Sequence, residues 1–125
     1  MQRKILVADD EPNIVEVLKT IFEEAGYEVW TAYDGQEALD LLNKSWPDLI
    51  ILDLLMPKVS GREFCQLLQS DPLTREIPVL ILSAWSQNIS AEEREQLHAY
   101  DYISKPFNLF ALLDQVEKIL GPRKN

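Results

Sequence analysis

Short apolar runs rich in β-branched residues alternate along the chain with longer stretches whose apolar positions recur at helical spacing. This alternation is typical of β-α units wound around a parallel sheet, and five such units fit the chain. The predicted strands cover residues 4–8, 28–32, 49–52, 79–82 and 102–104. The runs 49–52 and 79–82 are apolar throughout, which predicts central strands covered on both faces.

Helix starts are indicated by residues whose side-chain oxygens can accept hydrogen bonds from the first backbone N–H groups of a helix. Capping boxes are predicted at Asp34 with Glu37, Ser60 with Glu63 and Ser90 with Glu93, and a further cap is predicted at Asn108. Pro12 suits the first turn of the first helix. The predicted helices cover residues 12–25, 36–44, 61–70, 91–99 and 109–120. We therefore expect one domain over residues 1–120, with residues 121–125 as a C-terminal tail or the start of a linker.

Length and composition agree with a single domain that needs no covalent or metal support for its core. The chain has 125 residues, of which 46% are hydrophobic. Its one cysteine, Cys65, cannot form an internal disulfide. The sequence has no signal-peptide pattern and no apolar run near twenty residues, so we expect a cytoplasmic protein without a membrane partner.

The charge balance disfavours direct binding to nucleic acid. Acidic residues number 21 against 12 basic ones, and the net charge of −9 repels phosphate backbones. The basic pairs Arg3-Lys4 and Arg123-Lys124 lie at the two ends of the chain rather than in one patch.

Polar residues follow four of the five predicted strands, at the edge where open parallel sheets bind their ligands. These residues are Asp9, Asp10 and Glu11 after the first strand, Asp53 after the third, Ser83 after the fourth and Lys105 after the fifth. Any one of them alone is better explained as a helix cap or a solvated charge. The set of acids, hydroxyl and lysine at one edge is not explained by capping.

Crowded carboxylates repel one another, which destabilises a site of this kind unless a cation enters it. Oxygen ligands suit Mg²⁺, and the sequence offers no His/Cys cluster for a softer metal because His98 and Cys65 lie on predicted helices. A carboxylate held beside a metal and an ammonium can attack phosphorus. Asp53 is the predicted nucleophile, Lys105 the neutralising ammonium and Ser83 a hydrogen-bond donor, while Ala84 leaves space for a phosphodonor.

In combination, these motifs resemble the receiver domains of bacterial two-component response regulators, over essentially the whole chain. The matching segments are residues 5–12, which end in Asp9-Asp10-Glu11-Pro12, Asp53 with Met56-Pro57 and Gly61, Ser83-Ala84, and Tyr102 with Lys105-Pro106-Phe107. The resemblance implies a flavodoxin-like α/β fold, a doubly wound five-stranded parallel sheet in the order 2-1-3-4-5 with five helices, like that of the chemotaxis regulators.

The resemblance also implies a function and a set of roles. Asp53 would accept a phosphoryl group from a phosphohistidine donor, a histidine kinase or a histidine phosphotransfer protein, in the presence of Mg²⁺. Asp10 would bind the metal directly, Asp9 largely through water, and the backbone carbonyl of Leu55 would be the third protein ligand. The chain would be a signalling switch rather than an enzyme, with slow loss of its own phosphoryl group.

In the implied switch, Ser83 moves toward the phosphoryl group and Tyr102 turns from an exposed to an inward rotamer. Pro57, Gly61 and Pro106 would be structural, with a cis peptide bond between Lys105 and Pro106. Output would then be delivered in one of three ways: by an effector domain after Asn125, by homodimerisation through the fourth helix, the fifth strand and the fifth helix, or by docking on a separate target. One departure from the family pattern is His98-Ala99-Tyr100, where Gly-Ala-Asp is common, so the turn lacks its glycine.

Leu55 and Trp85 occupy the positions that flank the path of hydrolytic water in the family. Both are bulky and apolar, and we hypothesise that they make the phosphorylated form long-lived; the alternative is that Trp85 packs on a mobile loop or a partner.

Two other function classes remain open. The first is an interaction module of the same fold that does not signal by phosphorylation. The second is a phosphatase or a flavin-binding protein. Such a phosphatase commonly has an acid at the position that Leu55 occupies, and a flavin-binding protein has a glycine-rich phosphate loop after the first strand, where this chain has Asp9-Asp10-Glu11-Pro12.

Overall fold

Strands and helices alternate through the chain. The computed structural model describes residues 2–84 and 89–121, so Trp85 and residues 122–125 lie outside the description. The elements are β1 (Lys4–Ala8), α1 (Pro12–Glu24), β2 (Glu28–Ala32), α2 (Gly35–Leu42), β3 (Leu49–Asp53), α3 (Gly61–Ser70), β4 (Val79–Ser83), α4 (Ala91–Leu97), β5 (Asp101–Ser104) and α5 (Leu109–Leu120). None of these described helices is both long enough and apolar enough to cross a membrane.

All four strand pairings are parallel, and the sheet order is β2-β1-β3-β4-β5. This is the five-stranded flavodoxin-like order with five helices, as the resemblance implied. The order reverses beside β1, so β1 and β3 are neighbours although α1, β2 and α2 separate them in the chain. The carboxyl ends of β1 and β3 therefore meet at the edge where such sheets bind ligands.

Two hydrophobic layers cover the sheet. Every residue of β3 and β4 is buried, as their apolar runs predicted for central strands. One layer packs α2, α3 and α4 against the sheet around Phe64, and the other packs α1 and α5 around Phe22. Both rings are fully buried, and burial of a phenylalanine side chain contributes roughly 1.5–3 kcal/mol to stability. The strand ends that carry the polar residues are thus held on a rigid base.

Several predicted boundaries were wrong by one or two residues, and two of these errors bear on the site. β3 extends through Asp53 and β4 through Ser83, so both side chains belong to the sheet rather than to the loops that follow. The backbone of Asp53 lies opposite Leu82 in the ladder between β3 and β4. A candidate nucleophile held in this way has little freedom to move.

Helix α4 ends two residues before its predicted end because His98 adopts the left-handed conformation, with φ 54°. Its backbone N–H donates to the carbonyl oxygen of Arg94 and closes the helix. The usual glycine would adopt this conformation without steric strain, whereas a residue with a Cβ does so at a cost. The departure from the family pattern therefore falls on a position whose backbone favours glycine.

The predicted helix caps form, and Ser60 with Glu63 makes the full reciprocal box. Ser60 accepts from the N–H of Glu63, whose carboxylate accepts from the N–H of Ser60. Asp34 accepts from the N–H of Glu37, but the Glu37 carboxylate accepts from the N–H of Tyr33, one residue before the cap. The other two caps also form: Ser90 accepts from Glu93, whose carboxylate pairs with Arg62, and Asn108 accepts from Phe110 and Ala111.

Candidate functional site

Three acidic side chains meet at the carboxyl edge of the sheet. Asp9 and Asp10 follow β1, Asp53 ends β3, and one carboxylate oxygen from each lies within 4.8 Å of the others. Asp9 and Asp53 are buried, at 2% and 5% exposure, whereas Asp10 is exposed. The structure therefore brings together the three acids that the sequence placed at this edge.

Lys105 enters the same cluster from the end of β5. Its Nζ lies 2.8 Å from Asp9 Oδ2, 2.8 Å from Glu11 Oε1 and 3.1 Å from Asp53 Oδ2. The contact with Asp9 is an ion pair at close range, while those with Glu11 and Asp53 also have the geometry of hydrogen bonds. The side chain is only 11% exposed, so the ammonium is aimed into the site. The peptide bond between Lys105 and Pro106 is cis.

Burial and charge act in opposite directions on Lys105. Burial by itself would lower the pKa of its ammonium, but the close contacts with the Asp9 and Glu11 carboxylates and the charge of Asp53 raise that pKa above its ordinary value. The ammonium therefore stays protonated at physiological pH. It is the one described cation in contact with these acids, so four carboxylates, those of Asp9, Asp10, Glu11 and Asp53, share a single positive charge.

Asp9 shows the cost of assembling this cluster. Burial raises the pKa of its carboxyl group, and the nearby charge of Asp53 raises it further. The Lys105 ammonium and the backbone N–H of Glu11, which donates to Asp9 Oδ1 at 3.0 Å, lower it in part. The net shift is upward, so the ionised form of Asp9 is under-compensated.

Asp53 is oriented by both of its carboxylate oxygens. Oδ1 accepts from the backbone N–H of Leu55 at 3.1 Å, and Oδ2 faces Lys105. The loop that carries Leu55 is held at Gly61, whose N–H donates to the carbonyl oxygen of Leu54 at 3.0 Å. A Cβ added at Gly61 would lie 2.5 Å from Leu54 Cα and 2.6 Å from the carbonyl oxygen of Asp53, so only glycine fits there.

Two residues that fix this loop were missed at the level of sequence. Gly35, at the start of α2, allows a close approach in which an added Cβ would lie 1.8 Å from the carbonyl oxygen of Val59. Lys58 adopts φ 68°, and its Nζ lies 3.4 Å from Asp34. Gly35 stands directly after the predicted cap Asp34, a signal that could have suggested a tight junction. Nothing in the sequence pairs Lys58 with Asp34.

Ser83, Ala84 and Leu55, which were assigned to switching and access, lie at the ends of β3 and β4 or within two residues of them. Ser83 is fully buried at the end of β4, directly after Leu82, which pairs with Asp53 in the sheet. Ala84 is exposed. The residue Leu55 is half exposed. In the loop between Leu55 and Gly61, Met56 is buried and Pro57 is exposed. Trp85, which was assigned to the same access path, lies outside the described residues.

Tyr102 is half-buried on β5 and contacts a residue that the sequence gave no reason to select. Its hydroxyl donates to the backbone carbonyl oxygen of Arg94 at 3.1 Å, and the Arg94 guanidinium carbon lies 4.3 Å from the ring centroid. Stacking of a guanidinium on a tyrosine ring is favourable. The ring is thereby held against α4 in this structure.

The donor set fits magnesium. All three clustered ligand groups are carboxylates, which are hard oxygen ligands, and the group is short of positive charge. The candidates for a softer metal lie elsewhere: His98 ends α4, and burial raises the pKa of the Cys65 thiol on α3 to about 12, so that it stays protonated. A divalent cation beside Asp9, Asp10 and Asp53 would supply the missing charge.

Comparison with known proteins places these features in a family. The family model "Response regulator receiver domain" matches residues 5–117. The chain is 41% identical over 120 residues to the alkaline phosphatase synthesis transcriptional regulatory protein PhoP of Bacillus subtilis, a match that covers 96% of this chain and 49% of PhoP. The chain spans about half the length of the curated relatives it matches.

Solved structures agree with the family model. The chemotaxis response regulator CheY4 of Vibrio cholerae superposes with a TM-score of 0.87 at 32% identity, covering 95% of this chain and 99% of CheY4. The response regulator TrrA of Thermotoga maritima, solved in complex with Mg²⁺ and beryllium fluoride, gives a TM-score of 0.82 at 37% identity, covering 94% of this chain and 99% of TrrA.

Proposed function

The chain belongs to the response regulator receiver domain family, and from that membership we propose that it is a two-component switch phosphorylated on Asp53 in the presence of Mg²⁺. Receiver domains are signalling switches rather than enzymes, and they interact with histidine kinases or phosphotransfer proteins. The observation that carries the proposal is the convergence of Asp9, Asp10, Asp53 and Lys105 in one site. The proposed receiver domain covers residues 1–120.

The proposed chemistry is transfer of a phosphoryl group between two side chains. A carboxylate oxygen of Asp53 attacks the phosphorus of a phosphohistidine; the O–P bond forms as the N–P bond breaks, and the released imidazole takes up a proton from solvent. Lys105 donates to a phosphoryl oxygen, and Ser83 donates to another. Mg²⁺, held by Asp9, Asp10, Asp53 and the Leu55 carbonyl, would neutralise the charge that accumulates on the phosphoryl oxygens.

An apolar groove beside Lys105 supports a protein as the donor. Its volume is about 310 Å³, and its lining residues are Asn13, Ile14, Val17, Lys105, Pro106, Phe107 and Leu109. It runs between the first turns of α1 and the start of α5, next to the acid cluster. A histidine kinase or a histidine phosphotransfer protein that covered this groove would bring a phosphohistidine to Asp53 and exclude water from the transfer.

We assign output to the face made by α4, β5 and α5. In the proposed switch, Ser83 and Tyr102 shift on phosphorylation, and the face becomes competent to form a homodimer or to bind a target. Phe110 on α5 is 74% exposed, which suits a surface that is covered in a complex. The net charge of −9 argues against direct binding of this domain to nucleic acid, and we assign it to the cytoplasm.

We also propose that the phosphorylated form is long-lived. Leu55 is half exposed and apolar, so near Asp53 it offers no group that could orient a hydrolytic water. The same role is proposed for Trp85, and Ala84 leaves the approach of the donor open. An exchange of Leu55 and Trp85 for small polar residues should then speed the loss of phosphate.

The proposal is tested by mass spectrometry after incubation with acetyl phosphate and Mg²⁺. The wild-type chain should gain one phosphoryl group, and Asp53→Ala should gain none. Asp40→Ala, which removes an exposed carboxylate on α2, serves as the matched control and should be modified like the wild type. If the wild-type chain stays unmodified, the result would favour an interaction module of the same fold that does not signal by phosphorylation. Turnover of phosphate esters would favour a phosphatase instead.

A further inference from the structure

Glu11 lies at the mouth of the acid cluster and shares Lys105 with two buried acids. Its Oε1 is 2.8 Å from Lys105 Nζ, as close as Asp9 Oδ2 and closer than Asp53 Oδ2 at 3.1 Å. The Glu11 side chain is 57% exposed, whereas that of Lys105 is 11% exposed. Glu11 is not among the three carboxylates that cluster at metal-ligand distances. It therefore contacts the ammonium without being part of the candidate metal site.

The backbone fixes Glu11 in this position. Glu11 is the N-cap residue of α1, and its carbonyl oxygen accepts from the N–H groups of Ile14 and Val15 at 3.1 and 3.2 Å. Its own N–H donates to Asp9 Oδ1 at 3.0 Å. The side chain makes no capping hydrogen bond with its helix and instead extends to Lys105. The ion pair is thus built on a rigid part of the fold.

We propose that Glu11 is a positioning residue that restrains Lys105 before phosphorylation and competes with the phosphoryl oxygens for its ammonium. The inference rests on the proposed function of the Asp53 site. Lys105 Nζ donates to Glu11 and Asp53 and lies 2.8 Å from Asp9 Oδ2, so carboxylates surround the ammonium on three sides. A phosphoryl oxygen on Asp53 needs a place beside the same ammonium, so at least one of these carboxylates must give up its contact.

Glu11 is the competitor that persists when the site is filled. A divalent cation in the cluster would take up the charge of Asp9 and Asp53, which weakens their hold on Lys105. Glu11, outside the cluster, would keep its full charge next to the ammonium. That charge also repels an anionic phosphoryl group, so both effects disfavour the phosphorylated state. Loss of the charge on Glu11 should therefore make the site easier to fill.

The test uses beryllium fluoride, a phosphoryl mimic, and isothermal titration calorimetry at saturating Mg²⁺. Glu11→Gln keeps the size of the side chain but removes its charge, and it should bind beryllium fluoride about two- to fivefold more tightly than the wild type, the upper part of the range for exposed ion pairs. Glu16→Gln removes one exposed charge from the same helix and should leave the affinity unchanged. The affinity for Mg²⁺ is measured separately for each variant, so that saturation is established.

A double-mutant cycle separates restraint of Lys105 from simple charge repulsion. Urea unfolding without Mg²⁺ is measured for the wild type, Glu11→Gln, Lys105→Gln and the double variant. The effects of the two substitutions on the unfolding equilibrium constant should be non-additive, with the double variant departing from the product of the single effects by about threefold or more. Absence of coupling, or unchanged or weaker affinity of Glu11→Gln for beryllium fluoride, would overturn the role of Glu11. If the wild type binds no beryllium fluoride at all, the proposed function fails first.

Discussion

His98 is a residue whose backbone conformation conflicts with its side chain. It ends α4 with φ 54°, a region that costs an L-residue roughly 1–2 kcal/mol and glycine almost nothing. We expect His98→Gly to be about 1 kcal/mol more stable than His98→Ala, because alanine retains the Cβ that creates the strain. Urea unfolding at neutral pH gives both free energies. Equal stability of the two variants would show that the left-handed backbone is not a source of strain here.

Individual side chains differ in how far the sequence could predict them. Asp9, Asp10 and Asp53 could be placed together because each stands at the end of an apolar run, and parallel strands end at one edge. Arg94 could not be predicted as the partner of Tyr102, because they meet only once α4 packs beside β5. Glu11 was recognised as an acid at the edge, but its contact with Lys105 depends on how far two flexible side chains extend.

At the scale of elements, the helix starts follow from local chemistry, whereas the helix ends follow only in part: α3 and α5 end at Ser70 and Leu120 as predicted, and α1, α2 and α4 end one or two residues early. Ser60, Ser90 and Asn108 accept the hydrogen bonds that their positions predicted. The predicted end of α4 was wrong because a histidine gives no sign that it will take the left-handed conformation. Strands β3 and β4 were predicted one residue short because Asp53 and Ser83 are polar, although the ladder continues through them.

The cap of α2 makes the stability of the fold depend on pH. The backbone N–H of Glu37 donates to Asp34, and with Lys58 this holds the pKa of the Asp34 carboxyl group below its ordinary value of 3.8. Because the folded state lowers this pKa, the contribution of Asp34 is complete above about 3.8 and is lost as the pH falls through the folded value. The cap is therefore strongest in its ionised form at neutral pH.

Asp34→Asn tests this dependence, since asparagine also caps helices but carries no charge. In urea unfolding, the wild type should be more stable than the variant at pH 7. The difference between them should shrink as the pH falls below 4. Asp40→Asn, an exposed position on the same helix, is the matched control. A difference that stays constant down to pH 2.5 would mean that the charge of Asp34 does not contribute.

At the scale of the whole molecule, the class of fold follows from the alternation of strands and helices, but the order of the strands does not. A parallel sheet with right-handed crossover connections satisfies the same pattern of five β-α units in more than one strand order. The order 2-1-3-4-5 came from the family resemblance, and the sheet has it. That order makes β1 and β3 neighbours, and it is the reason that Asp9 and Asp53 share one site although they lie far apart in the sequence.

This arrangement predicts that the stability of the whole domain depends on magnesium. Four carboxylates share one ammonium at the edge of the sheet, so the native state gains a favourable interaction when a divalent cation binds, and the unfolded chain does not. Mg²⁺ at about 100 times its Kd should add roughly 2.7 kcal/mol of stability, which corresponds to a rise in Tm of about 10 °C for a domain of this size. Differential scanning calorimetry measures the rise directly.

Asp53→Asn separates specific binding from a general effect of salt. The variant keeps the shape of the site but loses one of the three clustered carboxylates, so its Tm should rise much less with Mg²⁺ than that of the wild type. NaCl at matched ionic strength should raise the Tm of either protein by less than Mg²⁺ raises the Tm of the wild type, because screening acts on surface charges throughout the molecule and not on this site in particular. If NaCl reproduces the rise, or if Asp53→Asn responds like the wild type, the three carboxylates do not form a cation site.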